Sequence, residues 1–236
     1  MDILTMANTE NEITLKNAQK YRNFYEHTNE AIAYTLKFID DFDPSLEAFH
    51  LFLREFQNGL SLAFLSTLRL HDTQSQLMLR IVLESIVLCA YSMKEKSFDT
   101  YSTRNDDGTI SEEIVKTPAH TWLKENYNEF NDKIHFMKKA INHHKAHTNL
   151  IMAISNYDLD HTNVFFDDED DLTVKERLLW IANVALGSMH LLYVVAKKYP
   201  VIKFTDGFEN ELNRLGSINA QLAIELKQHE RIKQHL

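Results

Sequence analysis

Turn-forming residues are nearly missing from this chain. Glycine occurs 5 times and proline 3 times in 236 residues, and a β-rich chain of that length needs far more of both. The prolines stand where helices would begin or end: Pro44 after Asp43, Pro118 after Thr117, and Pro200 after a long apolar run. The glycines build neither a phosphate loop nor a dinucleotide fingerprint, and no G-x-S-x-G elbow is present. Cysteine occurs once, as Cys89. That excludes an intramolecular disulfide framework, fits a reducing cytoplasm, and reads as a plain core thiol inside an apolar run. Positive charge is in deficit too, with 25 Lys and Arg against 34 Asp and Glu for a net charge of -9. Such a balance disfavours sequence-independent nucleic-acid binding over the whole surface. The opening MDILTMANTENE has neither the basic region nor the apolar core of a signal peptide, so the expected location is cytoplasmic.

What remains is an all-α fold: a multi-helix bundle with two central apolar helices and a long C-terminal helix. Residues 1–236 read as a single all-helical domain, and a sub-bundle boundary, if there is one, falls in the loop 97–117. The bundle is organised around Leu77 to Met93, apolar on nearly every side, whose only charges, Arg80 and Glu84, share one face. The second apolar helix, Leu178 to Ala196, has near-spanning length without an Asp, Glu, Lys or Arg. Asn183, Ser188 and His190 interrupt it, and a buried partner for the first central helix explains the same pattern, so no membrane partner is expected.

The remaining pattern predicts a first helix over 10–40 and a second from Pro44, N-capped by Asp43, to about Leu70. The second carries the apolar stripe Leu46, Phe49, Leu53, Phe56, Leu60 and Phe64. Asp72 is expected to cap the central helix. A short helix from Pro118 to about Phe130 and a longer one over 131–157 follow, then an acidic loop from Asp158 to Asp171. Thr173-Val-Lys-Glu176 has the form of a capping box. The last helix carries Phe208, Leu212, Leu215, Asn219, Leu222 and Leu226 in a heptad-like seam, suited to docking on the bundle or to a homodimer contact.

Four places could hold chemistry. Arg80 and Glu84 make a polar stripe with Thr73 and Gln76; it faces either water or an interior site where the arginine holds a phosphate or carboxylate. The run KIHFMKKAINHHKAHTN is a local reversal of sign, with Lys139, His143, His144 and His147 as ligand-binding or proton-carrying candidates. Its bland alternative is a solvated cationic face neutralised by the acidic loop. A di-iron bundle would draw on Glu47 with His50, Asp132 with His135, Glu30 and Glu84, a pattern that acid-rich composition produces by chance. Arg22-Asn-Phe-Tyr-Glu-His27 matches the R-x4-6-H form of the helical ribonucleases called HEPN domains, in which histidine moves protons and arginine steadies phosphate.

Arg80 and Glu84 on an apolar helix, then His147-Thr-Asn on a later helix, then FDDEDD leading into another apolar helix form a combined pattern over about residues 60–230. In this the chain resembles a group of uncharacterised bacterial all-helical proteins, some compared with HEPN-like bundles and found among defence genes. The resemblance implies an all-α fold and would gather Arg80, Glu84 and His147 into one shared polar centre, and it implies no known activity. Those three residues are the catalytic candidates, with a phosphate-bearing ligand or RNA as the expected partner. The resemblance names no cofactor. Three functions are therefore expected in competition: binding of a partner or phosphate-bearing ligand, HEPN-like metal-independent RNA cleavage, and a non-catalytic module dimerising through its terminal helix.

Overall fold

The computed structural model describes residues 2–112, 115–144 and 171–228. It is an all-α bundle: among the described residues eight α-helices carry the fold and two short two-stranded ladders brace it.

Helix α1 (Ile3–Lys20) is capped by the Asp2 carboxylate, which accepts the Thr5 amide at 2.8 Å. Helix α2 (Arg22–Thr35) follows after Tyr21. The single helix expected over 10–40 is thus two, divided where the Tyr21 backbone (φ -102°, ψ 29°) leaves helical geometry. Next come strand β1 (Ile39–Phe42) and helix α3 (Glu47–Leu68). Asp43 does not cap α3. Its carboxylate turns back on the Ser45 amide and hydroxyl at 3.0 and 2.7 Å, and Leu46 holds the N-cap position. Of the α3 stripe, Leu46, Phe49, Phe56, Leu60 and Phe64 are buried and Leu53 is half-buried.

Helix α4 (Asp72–Ser92) folds back on α3 in a hairpin that forms the most extensive contact among the described residues. The turn passes through Leu70 at φ 61°, a left-handed conformation that a branched side chain resists. Asp72 is the first helical residue rather than the cap, a position held by His71. Gly59 lets the pair approach: a Cβ there would stand 2.7 Å from Cγ2 of Val82. Cys89 is fully buried, and its thiol points at the Phe49 carbonyl at 3.7 Å, as a core thiol should.

The loop expected over 97–117 contains a 3₁₀ turn (Phe98–Thr100) and a hairpin of β2 (Ser102–Arg104) with β3 (Ile110–Glu112). Helices α5 (Lys116–Asn126) and α6 (Asn128–His144) meet at Tyr127, with Pro118 inside the first turn of α5. Helix α7 (Asp171–Lys198) is the second apolar helix; it already includes Asp171 and Leu172, so Thr173 lies within it and does not cap it. The acidic loop lies outside the described residues up to Asp171. Both α4 and α7 are long and apolar enough to cross a membrane by length and composition, and most of each is buried among the other helices.

Strand β4 (Ile202–Phe204) pairs antiparallel with β1 and so ties the α2–α3 connection to the one after α7. Phe38, Tyr193, Phe204 and Phe208 interlock around this ladder, with Phe204 and Phe208 centroids 4.5 Å apart. Gly207, at φ 76°, opens helix α8 (Phe208–Lys227). Its seam faces inward: Phe208, Leu215, Leu222 and Leu226 are buried, and α8 lies against α2 and α7. Docking on the bundle is therefore what the heptad-like spacing encodes within this chain.

Candidate functional site

Glu84 sits two turns from the α4 C-terminus, on the face turned toward α5 and α6. Lys116 from α5 reaches one carboxylate oxygen at 3.1 Å, and Lys138 from α6 reaches the other at 3.1 Å. Arg80, one turn earlier, lies 3.5 Å away through Nε and donates from Nη1 to the Asn142 amide oxygen at 2.5 Å. The Glu84 and Lys138 side chains are each 20 % exposed, Arg80 35 %. Arg80 and Glu84 are therefore neither in open water nor sealed, and three helices converge on them, whereas Gln76 of the same stripe is buried and bonds Asp72.

Burial opposes the charged form of Glu84, but the Lys116 hydrogen bond and the Lys138 charge prevail and hold its carboxyl below the ordinary range. One carboxylate among three basic side chains leaves an excess of positive charge, in a chain whose net charge is -9. The centre draws only Lys138 from the cationic run of α6 and takes its other charges from α4 and α5.

Beside it opens a cleft of about 440 Å³ between α5 and α6, lined by His120, Lys124, His135 and Lys138 with Thr121, Asn131 and Asp132. Burial pushes the His120 imidazole below its ordinary value, and Lys138 pushes the same way against the pull of Glu84. Lys138 belongs to both places: it pairs with Glu84 and lines the cleft. The larger cavity, about 1070 Å³ between α6, α7 and α8, is bounded mainly by apolar side chains such as Phe130, Ile134 and Trp180. The convergent charge lies at the smaller one.

Of the residues singled out in sequence, Arg80 and Glu84 meet as expected, although Glu84 is shared among three cations and Arg80 has its shortest contact with Asn142. Lys139 is exposed on α6. His143 and His144 end α6, their side chains outside the described residues, as is His147 entirely. Arg22 is exposed and pairs with Glu26 at 2.8 Å, whereas His27 is buried against α8, so the R-x4-6-H pair is not one polar centre. Glu30 pairs with Arg214, away from Glu84, and among the described residues no group of three or more His, Cys, Asp or Glu could hold a metal. Sequence reasoning passed over Lys116, His120 and Lys124, and counted Lys138 without separating it from its neighbours.

A second polar knot stands where α4 meets α7. Arg177 donates from Nε to the buried Asp72 carboxylate at 2.7 Å, Gln76 donates to its other oxygen at 2.6 Å, and the guanidinium lies over the Trp180 ring at 5.0 Å. This pair is internally satisfied and acts as a clamp between helices.

Comparison with protein-family models, with curated proteins and with solved structures gave no match.

Proposed function

We propose that the chain binds a small phosphate-bearing ligand at the cationic centre between α4, α5 and α6. The observation that carries this reading is Lys138. It is half-buried on α6, in phase with the buried Ile134 and Ile141, and pairs with Glu84 at 3.1 Å. Partial desolvation of an ammonium costs free energy that the Glu84 carboxylate offsets, so this position is a demanding place for a charge kept only for solubility. Glu84 orients Lys116 and Lys138, while Asn142 fixes the Arg80 guanidinium, whose planar fork suits a phosphate.

Calorimetric titration with inorganic pyrophosphate tests the reading. The wild-type chain should bind, and Arg80→Ala and Lys138→Met should each weaken binding at least about tenfold, equivalent to ~1.4 kcal/mol. Undiminished binding by both variants would retire this site. RNA cleaved without metal, with loss of cleavage in Arg80→Ala, would move the reading to a nuclease at the same centre.

A further inference from the structure

The cleft between α5 and α6 is lined by polar side chains alone. Its basic groups are His120 and Lys124, one turn apart on α5, and His135 and Lys138, one turn apart on α6. Opposite in character are Asp132, Asn131 and Thr121. Among the described residues the lining holds no Phe, Tyr or Trp, and its only rings are the His120 and His135 imidazoles. Its volume of about 440 Å³ is that of a small-molecule site.

The carboxylate is the informative residue. Asp132 accepts from Asn128 at 2.9 Å and from Asn131 at 3.3 Å, which leaves lone pairs free on both oxygens. A bare phosphate would be repelled by it. A ligand that carries hydroxyl donors next to its phosphate would use it, together with the amide of Asn131 and the hydroxyl of Thr121.

Resting on the phosphate-binding reading, we propose that this cleft takes a small phosphorylated polyol. The phosphate lies against Lys124, Lys138 and the two imidazoles, and the hydroxyls donate to Asp132. Burial lowers the His120 pKa, and in its neutral form the imidazole can donate one ring N–H to a phosphate oxygen.

The test is calorimetry on the full chain with inorganic phosphate, glycerol phosphate and glycerol. Glycerol phosphate should bind about tenfold more tightly than inorganic phosphate, and glycerol should give no measurable heat. Asp132→Asn, at an exposed position, should bring the two phosphates within about twofold of each other, and Lys138→Met should weaken both. Equal affinity for the two phosphates, or an advantage that survives Asp132→Asn, overturns the polyol inference and leaves the anion site standing. No binding of either phosphate overturns both. A short RNA that binds and is not displaced by glycerol phosphate overturns the small-molecule class.

Discussion

Glu84 is the residue on which the cationic centre turns. Replacing it with Gln keeps its shape and leaves Lys116, Lys138 and Arg80 facing one another; stability should fall by about 1–2 kcal/mol, a figure kept small because the group is partly solvated. The pH dependence has a definite sign. Because its folded pKa is lowered, the carboxyl contributes stability above the unfolded value of about 4.3, and that contribution is lost as pH falls through the folded value. Urea unfolding at about pH 7 and about pH 3 should therefore show a smaller acid loss in Glu84→Gln than in the wild type. Asp72 and Arg177 behave as a closed pair: Asp72→Asn or Arg177→Met alone should cost about 3–5 kcal/mol, and the double replacement less than the sum. Sequence made Arg80 and Glu84 visible because they are the sole charges on an apolar helix. Lys138 was equally readable, since it falls in phase with Ile134 and Ile141 whereas Lys139 does not; its neighbours Lys116 and His120 are ordinary in sequence and become notable only once α5 is folded over α4.

Helices divide according to how much of their boundary is chemical. The α3–α4 hairpin, with its apolar stripe and its break near residue 70, was legible because burial imposes the spacing. The division of α1 from α2 at Tyr21 was not, because that break has no glycine or proline to mark it; the division of α5 from α6 was expected near Phe130 and falls at Tyr127. The β1–β4 ladder was also hidden: it joins segments more than 150 residues apart and is only three to four residues long on each side. Glycines give a test of the helix packing with opposite signs. Gly59→Ala should destabilise by about 1–3 kcal/mol, as the new methyl drives into the stiff Val82 side chain between α3 and α4. Gly187→Ala and Gly216→Ala meet open space in helix interiors and should each stabilise by about 0.5–1 kcal/mol. Thermal denaturation of the three variants reads both directions.

At the scale of the molecule, α8 closes the bundle, and His27 is where that closure feels pH. Its Nε2 donates to the Asn219 amide oxygen at 3.1 Å, while Nδ1 is buried without a partner. Burial holds its pKa below the ordinary value, against the Asn219 hydrogen bond and Glu30, with Arg214 adding to the depression. A lowered histidine contributes stability above the unfolded value of about 6.5 and loses it as pH falls through the folded value, so moderate acid should loosen α8. Protection of the α8 amides, taken relative to the intrinsic exchange rate at each pH, should fall first between about pH 7 and about pH 5, and His27→Gln should reduce that change. The cationic centre lies on the far side of α4 from α3 and is built by three helices that the bundle holds in register, which is why no single stretch of sequence contains it. The most direct test of that centre is an NMR titration of the labelled full-length chain with inorganic pyrophosphate. Shifts should concentrate at Arg80, Glu84, Lys116, His120, His135 and Lys138. Shifts that gather elsewhere, or none at saturating ligand, would contradict a phosphate site between α4, α5 and α6.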